Sequence, residues 1–165
     1  MTILVMKDRD TKTIFADAVE MKGRGLDGTV TRVVENLAKL GHKKVILRSD
    51  QEPAMLDLIA GVVAAREDLT IPQKSPVGES QSNGLVERAV RPSKDQVRTL
   101  RLALPKRVGC RVPPTHDLMT WIVQHAGEVT SKYQINRDGK TAYDKVFGKP
   151  CRDEIVEFGE EATTA

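Results

Sequence analysis

Six short segments in the first seventy-five residues alternate between strand and helix periodicity, and that order leaves few folds open. Residues 3–7 and 13–21 are rich in apolar and β-branched side chains, and Asp8-Arg9-Asp10-Thr11 between them has the composition of a turn. The chain should therefore open on an antiparallel hairpin. Gly23, Gly25 and Gly28 break the pattern, after which Val30, Val33, Val34, Leu37 and Leu40 recur at helical spacing until Gly41 ends the helix. Residues 44–47 read as a short strand of the buried kind, which delivers Ser49-Asp50 to its carboxyl end. Pro53 opens a second helix over 54–66 with Met55, Leu58, Ile59, Val62 and Val63 on its apolar side, and 69–73 reads as another strand. Hairpin, helix, strand, helix, strand is the order of an α/β fold with helices packed on a mixed sheet.

The polar, glycine-bracketed stretch from Ser75 to Arg88 then runs into a long helix. Taken at 100° per residue, Arg91, Lys94, Arg98 and Arg101 all fall within about 40° of Glu87, so one acid and four bases share a narrow face. Val86, Val90, Val97, Leu100 and Leu104 cluster about 100° away as the stripe that docks on a core. Pro92 removes a helical hydrogen bond, and because the stripe keeps its phase across it, one kinked helix is expected; Ser93 and Gln96 also form a capping-box pattern, which leaves two abutting helices open.

A charged helix face is usually just solvated, but the local balance here is lopsided. Residues 88–111 hold eight bases and one acid, a net of +7, against +3 for the whole chain, so everything else sums to −4. Positive charge gathered in one segment is the electrostatic footprint expected for a polyanion partner.

The remainder is less specific. Thr115 is a candidate cap for a helix carrying Leu118, Met119, Ile122, Val123 and Ala126, with Trp121 as a packing residue. Gly139-Lys140-Thr141 is not a phosphate loop, because Gln134 stands where the motif needs its first glycine and no strand precedes it. Residues 141–147 look like a short helix, and 151–158 begin a following segment. Cys110 and Cys151 make no disulfide framework and no C-x-x-C, which suits a reducing, intracellular compartment, and His42, His116 and His125 lack cysteine partners at zinc-finger spacing. No apolar run approaches the ~18 residues of a membrane span, and the start lacks the features of a signal peptide.

Asp50 could simply cap the helix after it. Its pairing with Glu87 suggests more, since two carboxylates beside a basic surface are hard oxygen donors suited to Mg2+ or Mn2+ and a substrate phosphate. Ions so held can activate an attacking oxygen and stabilise a leaving one in phosphodiester chemistry.

Ser49-Asp50-Gln51-Glu52-Pro53, Pro76-Val77-Gly78, Ser82-Asn83-Gly84-Leu85-Val86-Glu87-Arg88 and Asp138-Gly139-Lys140-Thr141-Ala142-Tyr143 together resemble the catalytic core of retroviral and retrotransposon integrases, within the ribonuclease H-like superfamily. The 36 residues between Asp50 and Glu87 are close to that family's interval. The resemblance implies a ribonuclease H-like mixed sheet flanked by helices over 1–149, with 150–165 as the start of a following segment. It implies that Asp50 and Glu87 are the second and third acids of a metal-binding triad, and that Arg91 and Lys94 contact DNA ends; Arg88, Arg98 and Arg101 join them as candidate DNA-binding residues on the charge of the segment alone. It further implies DNA ends and target DNA as partners, a homo-oligomer, and a nuclear site of action. The family has three strands before its first helix, with its first catalytic aspartate on the first; two are expected here, and Asp8, Asp10 and Asp17 do not suit that role. A core lacking its first strand, as a piece of a retrotransposon polyprotein or a decayed copy, is thus the expectation. Strand transferase, inactive nucleic-acid or protein binder, and nuclease are the functions to separate.

Overall fold

The structure, a computed structural model, describes residues 2–19, 28–75, 80–153 and 158, with the side chains of 80–83, 85 and 86 left out. The element order is β1 (Thr2–Lys7), β2 (Ile14–Val19), α1 (Thr29–Lys39), β3 (Lys44–Ser49), α2 (Pro53–Ala65), β4 (Leu69–Lys74), α3 (Ser80–Val108), α4 (Leu118–Tyr133) and α5 (Ala142–Phe147). Among the described residues the strands pair as β1 with β2 and as β3 with β4. None of the described helices is long and apolar enough to cross a membrane.

The connection between β1 and β2 is too short for a parallel crossover, so the pair is an antiparallel hairpin, as expected. Its turn is closed by Asp8 N donating to Thr13 O at 2.9 Å, while Asp8 Oδ2 accepts from Thr11 N at 2.8 Å and from Thr11 Oγ1 at 2.6 Å. Of the longer second strand that the sequence suggested, Glu20 and Met21 lie outside the described residues.

The chain divides into two compact units. The first comprises Met1–Leu4 and Val19–Arg88. Within it α1 packs on α2 through buried Val33 and Leu37 and buried Leu58, Ile59 and Val62, and α2 packs on β3 and β4. The β3–α2–β4 crossover makes a parallel pair in register from Lys44 opposite Leu69 to Ser49 opposite Lys74. Buried Arg66, just past α2, ties this unit together. Its guanidinium donates to His42 O, to Leu69 O at 3.3 Å and to Thr70 Oγ1 at 2.9 Å, and it pairs with Asp68 at 3.4 Å. β3 corrects one expectation: it is not buried on both faces, because Ile46 is 60% exposed. Ile46 lies opposite Ile71, which with Leu69 is also exposed, whereas Val45 and Leu47 are half-buried beside buried Thr70. A three-residue apolar run cannot report how many faces of a strand are covered.

The second unit comprises Val5–Ala18 and Ala89–Ala165. Its buried apolar residues are Ile14, Ala16 and Ala18 of β2, Met119, Ile122, Val123 and Ala126 of α4, and Val97 and Leu104 of α3. Helix and strand approach closely because Gly127 has no side chain: a Cβ there would lie 3.0 Å from Ala16 N. One turn on, Ser131 Oγ accepts from Ile14 N at 2.9 Å and donates to Ile14 O at 3.0 Å, occupying the backbone of β2. α4 begins after Asp117, not at a Thr115 cap; His116 Nδ1 instead accepts from Leu118 N at 3.1 Å, in a turn closed by His116 N on Pro113 O at 3.1 Å. Thr141 and Asp144 form a reciprocal capping box that starts α5, and Gly148 at φ 69° ends it.

α3 is one continuous helix through Pro92 and Pro105, so the two-helix alternative does not hold. Its buried side has the phase read from the sequence but partly different members. Ala89 and Ser93 are fully buried, Leu104 nearly so and Val97 buried, while Val90 and Leu100 are half-buried. Ser93 Oγ satisfies itself on Ala89 O at 2.8 Å, which lets a hydroxyl sit in the core.

Candidate nucleic-acid interface and carboxylate pair

Asp50 follows the last residue of β3, and its side chain is exposed. Around it the ends of the parallel pair are laced together. Ser75 N donates to Ser49 O at 2.8 Å, Gln51 Nε2 donates to Ser75 O at 3.0 Å, and Ser49 Oγ donates to Asp50 O at 2.8 Å. Ser75 is buried, so the Gln51 bond anchors the loop to a fixed point. Gln51 is therefore a positioning residue of this strand end that sequence reasoning missed; only its place between Asp50 and Glu52 hinted at it. The helix-cap alternative for Asp50 is weak. Glu52 occupies the N-cap position of α2 without a side-chain cap bond, and Asp50 Oδ1 accepts from Glu52 N at a long 3.4 Å.

Glu87 stands on the second turn of α3, exposed, in the same compact unit as Asp50. The Pro76-Val77-Gly78 part of the motif lies outside the described residues. Two exposed carboxylates are a donor set that suits one hard divalent cation. Among the described residues no group of three or more His, Cys, Asp or Glu is arranged to hold an ion. Asp8 serves its own turn, and Asp17 is buried on β2, where Gln124 Nε2 donates to its Oδ1 at 3.4 Å.

The bases of α3 present themselves as the wheel requires. Arg88, Arg91, Lys94 and Arg98 are exposed and Arg101 is half-buried. None of these five has an ion pair with a described residue, whereas Arg66, Lys132 and Lys145 are each paired with an aspartate. Unneutralised charge on an exposed helix face is the arrangement that a polyanion can use.

Compared with solved structures, the chain is similar to a chain of the simian T-cell lymphotropic virus intasome in complex with PP2A regulatory subunit B56 gamma. The TM-score is 0.60 at 15% identity, over 99% of this chain and 58% of that one. The fold is that of an integrase catalytic core. This chain thus spans a little over half of the intasome chain, 58% of its length, and at such identity the likeness is one of fold alone. The catalytic core domain of BIV integrase is also similar, with a TM-score of 0.44 at 19% identity over 88% of this chain and 91% of that one. No protein-family model and no curated protein matches the chain. The architecture is mixed α/β, with two short strand pairs flanked by helices.

Proposed function

We propose that this chain is an integrase-type domain of a retrotransposon that binds DNA through α3 and holds Mg2+ or Mn2+ between Asp50 and Glu87. The observation that carries the reading is the basic face of α3, without ion pairs to the described residues, which begins one turn after Glu87 in an integrase-core fold. Arg88, Arg91, Lys94, Arg98 and Arg101 would neutralise backbone phosphates of DNA ends or target DNA without reading bases. Gln51 and Ser75 would keep the Asp50 carboxylate at the strand end. A bound divalent ion would supply Lewis-acid stabilisation of phosphate oxygens.

Two acids do not suffice for strand transfer in this reading. Asp8 and Asp17 are engaged elsewhere, so the described residues leave a coordination position without a carboxylate. The chain in hand is then a DNA-binding integrase core without transfer activity, in keeping with the inactive-binder alternative, while its parent element would act in the nucleus, as a homo-oligomer. The test combines Mn2+ titration by electron paramagnetic resonance with a DNA strand-transfer assay. Asp50→Asn and Glu87→Gln should each weaken Mn2+ binding at least tenfold, and the unaltered chain should bind DNA yet join no ends. Mn2+ affinity indifferent to both substitutions overturns the metal assignment. Strand transfer by this chain would show that a further acid completes the site and would overturn the inactive-binder reading.

A further inference from the structure

A second positive segment lies away from α3. Residues 137–152 hold five bases and two acids, and both acids are already engaged. Asp138 pairs with Lys145 at 2.6 Å, which draws its carboxyl below the ordinary range. Asp144 Oδ2 accepts from Thr141 N at 3.0 Å in the capping box of α5. Arg137, Lys140, Lys149 and Arg152 remain, all exposed and none paired with a described residue.

Among these bases the chain displays an aromatic ring. Phe147, the last residue of α5, is 57% exposed, although α5 buries Ala142 and packs on α4. Its ring is propped by Tyr143 one turn earlier, with centroids 4.5 Å apart and planes tilted by 40°. The support is rigid. Asn136 N donates to Lys140 O at 2.9 Å and Gly139 N to Asn136 O at 2.9 Å, so the turn bearing Arg137 and Lys140 is closed just before the capping box. Gly148, in the left-handed region, then turns the chain directly into Lys149.

We propose that the Tyr143–Phe147 ring pair, with Arg137, Lys140, Lys149 and Arg152 on its flanking turns, is a binding site for single-stranded nucleic acid. An exposed ring offers a stacking face that any unpaired base can use, and nearby cations take up the phosphates. A duplex hides its base faces in its own stack, so the ring gives it nothing to hold. A protein partner fits less well, because the centres of protein interfaces are depleted of charge, whereas here four cations without an ion pair to a described residue lie on the turns flanking one exposed ring. The site uses none of the α3 bases and stands or falls apart from the reading of Asp50 and Glu87.

The experiment measures anisotropy of labelled oligo-dT and of a duplex of equal length, each about 15 nucleotides, with the full chain. Phe147→Ala should weaken oligo-dT binding by roughly 5- to 150-fold, the range of one base–aromatic stack, and change duplex binding less than about twofold. Its salt slope should not move, since no charge is lost. Phe147→Trp should restore the single-strand affinity. Lys140→Ala with Lys149→Ala and Arg152→Ala should lower the single-strand salt slope by about 2, at roughly 0.7 per phosphate contact. Equal losses for both DNA forms, no loss with Phe147→Ala, or failure of the tryptophan to rescue would overturn the proposal. So would a ring whose removal abolishes self-association in sedimentation while leaving oligo-dT binding intact.

Discussion

Replacing Arg91, Lys94, Arg98 and Arg101 by alanine is the perturbation that most directly tests what α3 does. All four lie on one face and are without ion-pair partners among the described residues, so their removal breaks no salt bridge there. From Arg91 to Arg101 is ten residues, or about 15 Å along the helix axis at 1.5 Å per residue, a length over which a DNA backbone offers several phosphates. If each base neutralises one phosphate of a duplex, the logarithmic salt slope should fall by about 3.6, at roughly 0.9 per contact. Between 50 and 200 mM salt that share of the slope corresponds to roughly a 150-fold change in affinity. The assay is fluorescence anisotropy of a labelled duplex at a series of salt concentrations, with circular dichroism as a check on folding. Binding should weaken to a similar degree for unrelated DNA sequences, because phosphates carry no sequence information. A slope that falls by less than about 1, with the fold intact, would mean that the stripe is only a solvated face.

Two further outcomes follow from packing and burial. Gly127→Ala should lower stability by about 1 kcal/mol and Gly127→Val by about 2, since overpacking against the Ala16 backbone outweighs the gain in helix propensity; urea unfolding checks this, and a raised midpoint for the alanine variant would refute it. His125 packs on Phe158 with ring centroids 5.1 Å apart, and burial lowers its pKa against a smaller opposing effect of Glu128 and a reinforcing one of Lys132. A depressed folded pKa gives stability that is present above the ordinary histidine value and lost as pH falls through the folded one. Thermal stability should thus drop more steeply from about pH 7 to pH 5 than it does in His125→Gln, and parallel curves would contradict the assignment.

The parts of the fold that were legible in the sequence are those where one periodicity dominates. The Val33 and Leu37 spacing fixed the buried side of α1, and the alternation of apolar strands with amphipathic helices fixed the element order. What escaped were features that depend on a neighbour. Ile46 reads as core until the register shows it sharing an open face with Ile71. Ala89 and Ser93 carry little hydrophobic signal, yet they are the most deeply buried of the described side chains of α3. At the candidate site, Asp50 and Glu87 were visible through their motif and interval. Gln51 was not, because its significance lies in a bond to Ser75 O across 24 positions. Cap prediction failed at Thr115 for a similar reason: a side chain two residues before Leu118 can bind its amide from a non-helical turn.

The composition of α3 argues against an incidental role for its charge. Arg91–Lys94, Lys94–Arg98 and Arg98–Arg101 are like pairs at helical neighbour spacing, each unfavourable by about 0.2–0.5 kcal/mol, so the stripe costs the helix roughly 1 kcal/mol. Pro92 and Pro105 withdraw two backbone donors, which deprives the carbonyls of Arg88 and Arg101 of their helical partners at a nominal cost of about 3 kcal/mol each. Opposite-charge neighbours at the same spacing, Glu87–Arg91, Arg91–Asp95 and Asp95–Arg98, offset part of the repulsion but not the proline cost. Helix-dipole attraction can favour Lys106 and Arg107 in the last turn, but it has decayed before Arg98 and Arg91. The helix persists because Ala89, Ser93, Val97 and Leu104 are buried within the second unit, so tertiary packing overrides a sequence that would be a poor helix alone. A polyanion laid along the exposed face would convert the repulsion between these bases into attraction. The feature that weakens the free helix is therefore the one that a DNA backbone would make favourable.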